Sequence, residues 1–408
     1  MPLDFCKRRW LALDRWEKIA AVLWCVATLA ITMRLLLTPS YQGVYPIFAG
    51  AGRSWVAGLD LYQKQAGLDH YRYSPLVAAL FAPLASLPDQ LGGILWRSMN
   101  LLALVIGLGC FCREVVTASL KRAQRGVLFL LVLPLAVGNL HNGQSNLLVL
   151  GLILVTLAAL AGEHWRLAAG CIAVAVLFKL YPAAILLLAL AIFPRRFAGW
   201  SLAALAVGLL LPFLLQRPSY VASQYQAWWH HLGDYDRRGA STEYWYRDLR
   251  LLAEVCGWHM SDRLYVGIQL GAAAVSAGVC LAARQAGFEK RALLTLLLAL
   301  GSCWMTVFGP ATESATYVLL APSLAWALLE AFQLPASHWA RVLLLVSYGL
   351  LLLAQVMTWF PVGRRFHALG VHPFAGLLFG GCVLALAMGR VMKRFVSAPT
   401  AVVPAPAS

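Results

Sequence analysis

The sequence predicts an all-α polytopic membrane protein, a bundle of about twelve transmembrane helices with two long loops on one side. Three observations carry that expectation. Of its 408 residues 61% are hydrophobic and only 12% charged, with a mean hydropathy of +0.72. Apolar runs long enough to cross a bilayer recur from end to end. Lys and Arg collect in the short connections between alternate runs, where the positive-inside rule puts them.

The elements follow in order. The basic start CKRRWLALDRWEK leads into an apolar run at 18–37 with no A-x-A-like cleavage site after it, which reads as an uncleaved signal anchor. Residues 38–89 form the first long loop. Its first part is amphipathic and rich in aromatics, suiting a helix lying in the membrane interface. Its last part, Pro75–Pro88, is apolar but short and interrupted by prolines, so it is expected to be re-entrant or interfacial. Helices are expected at 90–112, 124–139 and 143–162. The next two, 167–179 and 181–194, are each too short to cross ~30 Å alone, which takes about 20 residues. They read as a bent pair or as two steeply inserted half-helices. A helix at 198–216 precedes the second long loop, 217–262, dense in Trp, Tyr and charge. Five further helices, 263–284, 290–308, 314–333, 339–358 and 372–392, complete a single domain spanning 1–394. The tail, 395–408, is expected to be a disordered cytoplasmic end.

Charge sets the expected orientation. Arg113, Lys121, Arg122 and Arg125 follow one helix, Arg195 and Arg196 another, and Arg390, Lys393 and Arg394 close the last. All fall on one side if both termini are cytoplasmic, which leaves both long loops exoplasmic; a bacterial inner membrane is the expected setting. The formal net charge of +16 therefore belongs to helix ends and anionic headgroups, not to nucleic acid. Nine cysteines sit mostly inside apolar runs, without metal-ligand spacing or a disulfide framework.

One stretch carries chemistry. Lys179-Leu180-Tyr181-Pro182 interrupts an otherwise apolar segment, Gly170–Phe193. A lysine facing lipid at mid-bilayer costs about 2.5–3.5 kcal/mol, so it must meet protein, water or an anion. Pro182 breaks the helix, and freed backbone at membrane depth is tolerated where it lines a cavity. Two readings stand: a site for something negative, or a lysine reaching the interface from a short helix.

Three stretches line up around it: GLDLY followed by YRYSPLVAALFAPLASLP, then GNLHNGQSNLLVLGLILV, then AAGCIAVAVLFKLYPAAILL. They contain Gly58–Tyr62, Tyr71–Pro75, Gly143–Asn146 and Lys179–Pro182. In order and spacing these resemble glycosyltransferase family 87, the polyprenol-phosphate-mannose-dependent mannosyltransferases of the GT-C superfamily, over roughly residues 40–195. The resemblance implies a GT-C-like bundle and a polyprenyl-phosphate hexose donor, used with inversion at the exoplasmic face. The acceptor is then a lipid or glycan. No cofactor is expected, since the lipid-linked donor is itself a substrate, and no D-x-D motif on the expected cytosolic side points to a nucleotide sugar.

The resemblance also assigns roles. Lys179 and Arg72 are expected to hold the donor phosphate. Tyr62, Tyr73, His141, Gln144, Asn146 and Glu313 are expected around the sugar or acceptor. Relatives place a base Asp about eighteen residues before the tyrosine of G-x-x-x-Y; here that region reads Tyr41-Gln42-Gly43-Val44-Tyr45, with no acid. Asp60 and Asp69 are the loop carboxylates assigned to general-base work, with Asp234, Asp236, Glu243 and Asp248 behind them. A membrane protein that binds polyprenyl phosphate or another lipid without catalysis, or transports it, is the alternative.

Overall fold

The computed structural model describes residues 11–38, 43–64, 67–116, 120–233, 236–333 and 337–397, and every regular element among them is helical. Seventeen α-helices result. The run α1 (Arg15–Leu37), α2 (Tyr45–Ala57), α3 (Pro75–Ala85), α4 (Asp89–Glu114), α5 (Arg122–Asn142) and α6 (Asn146–Ala161) is followed by the short pair α7 (Trp165–Phe178) and α8 (Ala183–Ile192). Then come α9 (Pro194–Leu215), α10 (Pro218–Gly233), α11 (Leu249–Val255) and α12 (Asp262–Gln285). The last group is α13 (Lys290–Cys303), α14 (Ala321–Gln333), α15 (His338–Met357), α16 (Gly363–Ala368) and α17 (Val371–Ser397).

Every span expected from the sequence is helical, and the described residues contain nine helical spans long and apolar enough to cross a membrane, two of which, Lys290–Phe308 and Ser314–Gln333, join α13 and α14 to an adjoining helical turn. α3, α6, α7 and α8 are shorter apolar helices. Pro134 does not end α5, which runs on to Asn142 and finishes on Gly143 at φ +70°. That left-handed residue carries the turn into α6 at no Cβ cost. The tail beyond residue 397, the N-terminal Lys7–Arg9 cluster and Tyr41-Gln42 lie outside the described residues.

Small residues set the core contacts, as is usual where helices pack without a hydrophobic drive between them. A Cβ on Gly151 would stand 2.3 Å from the Ala103 carbonyl oxygen, and one on Gly107 2.6 Å from that of Gly151, so α4 and α6 touch backbone to backbone. In the first loop, Gly52 plays the same part, letting α2 lie against Phe81 and Ala85 of α3. The expected interfacial helix and the expected re-entrant stretch are thus one packed pair, with Tyr45, Phe48 and Trp55 buried.

The short pair is a hairpin. Trp165 at the start of α7 packs its ring, tilted by 57°, 5.8 Å from that of Phe193 just past α8, so the two helices run antiparallel. Fourteen residues rise ~21 Å, short of the ~30 Å hydrocarbon thickness. The tip, Lys179–Pro182, therefore stops at depth, on the same side as both long loops. We call that side the loop end, and the opposite side, with Arg113, Arg195 and Lys393, the basic end.

Candidate active site

A cavity of about 270 Å³ opens at the loop end, walled by the α2–α3 pair, the α5–α6 turn, the hairpin tip, α10 and the segment before α14. Each wall is fixed by identifiable bonds. Ser74, at the start of α3, donates its hydroxyl to the Leu177 carbonyl at 2.7 Å, tying the first loop to the tip. Arg97 of α4, 4% exposed, donates to the Leu140 and His141 carbonyls at the end of α5. Its neighbour Trp96 donates to the Gly143 carbonyl at 2.7 Å. A buried cation on orphan helix-end carbonyls is favourable on both hydrogen-bond and dipole grounds, and it holds the turn that presents Gln144.

Lys179 leaves α7 in extended conformation, φ −146° and ψ 136°. Its ammonium donates to Asn146 Oδ1 at 2.6 Å, and the Tyr181 hydroxyl donates to the same oxygen at 2.9 Å. Asn146 Nδ2 donates to Asn139 Oδ1 at 2.9 Å, and Asn139 Nδ2 to the Ala315 carbonyl, also at 2.9 Å. One amide chain thus runs from the lysine to the segment bearing Glu313. The rings of Tyr73 and Tyr181 lie 5.9 and 5.6 Å from the ammonium. Among the described residues, a neutral amide and two aromatic faces hold this ammonium directly, and no carboxylate pairs with it at ion-pair distance.

Charge surrounds the opening. Arg72 donates to Asp69 at 3.1 Å and to the Tyr246 hydroxyl at 3.2 Å. Arg237 bridges Glu313 at 3.2 Å and Asp69 at 3.6 Å and lies over the Tyr246 ring at 4.7 Å. Burial raises the Tyr246 phenol above its ordinary pKa, against the pull of Arg72. That hydroxyl accepts from Arg72 and keeps its own proton to donate. His70, also on the wall, is pushed below the usual imidazole range, first by burial and then by Lys64, so it is neutral at neutral pH. Trp228 and His231 of α10 complete the aromatic side, with the Trp228 indole donating to the Arg72 carbonyl at 3.3 Å.

Asp69, Arg72, Tyr73, Gln144, Lys179 and Glu313, chosen from the sequence, all line this one cavity. Four others are not brought onto its wall. Asp60 is exposed and accepts from the Tyr62 amide at 3.0 Å, a local turn bond. Tyr62 is buried between Tyr71 and His231, its hydroxyl donating to the Tyr73 carbonyl at 2.9 Å. Asn146 lies under the lysine rather than on the wall, 1% exposed. His141 packs against Trp359, ring centroids 4.9 Å apart. Of the second-loop acids, Asp236 pairs with Arg238, Glu243 with Arg365, and Asp248 caps α11; Asp234 lies outside the described residues. Val44 lines the cavity about eighteen residues before Tyr62, in the region where relatives carry their acid. No group of three or more His, Cys, Asp or Glu gathers as a metal site among the described residues.

Arg97, Tyr246 and Trp228 build the site without having been singled out in the sequence, and Arg237 joins them. Arg97 had a signal, a lone charge inside the run 90–112. Tyr246 and Trp228 lie in the second long loop, whose mix of Trp, Tyr and charge fits sugar recognition and interface anchoring equally well.

The model of glycosyltransferase family 87 matches residues 71–310, more than half of the chain. The chain belongs to glycosyltransferase family 87. The family match begins at Tyr71, later than the resemblance at 40–195 suggested, and runs on through the second loop to Pro310, so it takes in both arginines at the mouth of the cavity. GPI mannosyltransferase 1 of Trypanosoma brucei brucei (strain 927/4 GUTat10.1) is 30% identical over 115 residues, 28% of this chain and 26% of that protein. The shared stretch is thus about a quarter of that relative. Among solved structures, ArnT from Cupriavidus metallidurans bound to undecaprenyl phosphate aligns at TM-score 0.36 and 14% identity, over 92% of this chain and 78% of that one. Its apo form aligns at TM-score 0.40 with the same identity and coverage.

Proposed function

We propose that this family member is an integral-membrane hexosyltransferase of GT-C type, taking its sugar, mannose, from a polyprenyl phosphate. The acceptor is a lipid or glycan, and transfer takes place at the exoplasmic face with inversion. One observation carries the reading: Lys179 and Arg72 converge on one cavity that also holds two carboxylates, Asp69 and Glu313.

The chemistry assigns itself by charge. A polyprenyl phosphate leaves as an anion, and preorganised cations lower the barrier to its departure; Lys179 and Arg72 take that part. Asp69 accepts the proton of the acceptor hydroxyl, whose oxygen then forms the new bond to the anomeric carbon. The bond from that carbon to the phosphate oxygen breaks, and the electron pair leaves with the phosphate. The Tyr246 hydroxyl, Gln144 and Glu313 hydrogen-bond the sugar or acceptor, and the Trp228 ring stacks against the sugar. Val44 in the region of the family's usual acid supports a second reading, a relative that binds polyprenyl phosphate without transferring sugar.

Purified protein given radiolabelled polyprenyl-phosphate mannose and membrane lipid extract separates the two. Transfer of label into lipid, reduced about 100-fold or more in Lys179→Ala and in Asp69→Asn, is the expected result. Intact donor binding with no transfer by the wild type would establish the second reading. Unchanged turnover in Lys179→Ala would remove that lysine from the site.

A further inference from the structure

A second and larger cavity, about 620 Å³, lies at the basic end, where α13, α14, α15 and α17 splay apart. That volume lies within the roughly 300–1,000 Å³ of pockets that hold small molecules. It is remote from the active-site cavity: its rim is built from the start of α13, the end of α14, the start of α15 and the end of α17. The donor chemistry has no use for it.

Its make-up is that of an amphiphile site. The inner walls are apolar, with Leu296, Ala299, Leu344, Val383 and Leu386. The rim carries Arg291, Arg390 and Lys393, with Trp339 beside them, 45% exposed. An indole with one wet and one apolar side belongs at the headgroup level. Two carboxylates also line it. Glu330 is faced by Arg390 at 3.7 Å, and Glu289 stands at the rim. Three cations against two acids leave one positive charge, which matches one phosphodiester. Basic pockets between membrane helices on the cytoplasmic side are suited to anionic headgroups.

We propose that this groove binds one anionic glycerophospholipid from the leaflet facing the basic end. Its phosphate lies between Arg291 and Lys393, and its acyl chains lie against α13, α14, α15 and α17. Arg390 keeps Glu330 balanced so that the acid does not repel the phosphate. A zwitterionic lipid of the same chains lacks the net charge the rim complements. The proposal does not rest on the donor reading of the loop-end cavity.

Native mass spectrometry of the full chain in detergent, titrated with phosphatidylglycerol or phosphatidylcholine of identical acyl chains, tests it. The wild type is expected to retain one phosphatidylglycerol about tenfold more than phosphatidylcholine. Replacing the two cations placed against the phosphate (Arg291→Ala, Lys393→Ala) is expected to bring that ratio close to one, given about fivefold per cation near a surface. Two controls are expected to keep the preference: Arg195→Ala with Arg196→Ala, basic but outside the groove, and Lys179→Ala at the other cavity. Equal retention of both lipids by the wild type would overturn the site, as would equal loss in the Arg195/Arg196 control. A lipid-free dimer whose interface covers the groove would also overturn it, assigning the surface to a second copy.

Discussion

Asn146 shows how one side chain prepares a charge for use. Its Oδ1 accepts from both the Lys179 ammonium and the Tyr181 hydroxyl, and its Nδ2 donates to Asn139. A neutral amide orients the ammonium and leaves its charge intact; a carboxylate in that place would neutralise it. Asn146→Ala is therefore expected to slow transfer by roughly 100-fold through misplacement alone. In a Lys179→Ala background the same change is expected to cost almost nothing further, since both act through one group. Turnover of the two single variants and the double variant checks this, and additive losses would assign Asn146 a separate contact with substrate.

At the scale of elements, the α7–α8 hairpin and the α5–α6 turn decide where the chemistry sits. The hairpin is too short to reach the far surface, so its tip stays at depth. The turn is held from outside, by Trp96 and Arg97 on α4. Arg97→Met keeps the apolar stem but strips the end of α5 of its donors. Each buried carbonyl left without a partner costs about 1–3 kcal/mol, and the variant is expected to melt several degrees below wild type in detergent. A second element carries a buried titratable group. His367 of α16 is 5% exposed, donates from Nε2 to the Ala354 carbonyl at 2.8 Å, and lies in a T-shaped contact with His372. Its other neighbours are Ser314 and Arg247. Burial, with Arg247 adding, lowers its pKa, while the Ala354 bond pulls the other way. A folded-state value below the unfolded one means that the unfolded chain binds the extra proton first. The stability it contributes is present above the ordinary imidazole pKa of about 6.5 and is lost as pH falls below it. Melting temperature of the wild type should drop between about pH 6.5 and 5, and drop less in His367→Gln.

For the whole molecule, the two cavities face opposite ends of the bundle, so orientation assigns each its leaflet. Cys256, exposed between α11 and α12, belongs to the loop end. A variant keeping only this cysteine is expected to react with a membrane-impermeant maleimide in intact cells. Labelling that appears only after permeabilisation would reverse the orientation and put the proposed transfer on the cytoplasmic side.

Helix positions were legible in the sequence because length and hydropathy are local properties: every expected span is a helix, and ends moved by only a few residues. Lys179 was legible for the same reason, a charge without local company. Asp69 and Asp60, nine residues apart in one loop, were not distinguishable there; packing turned one to the cavity and left the other as a turn bond. Asn146 likewise reads as a ligand in the motif, and packing places it beneath Lys179, off the cavity wall. The sequence by itself determined a polytopic helical membrane protein with a cation at a helix break. Only the tertiary structure decided which polar groups meet, because Arg237 reaches Asp69 and Glu313 across segments far apart along the chain, and no local pattern encodes that distance.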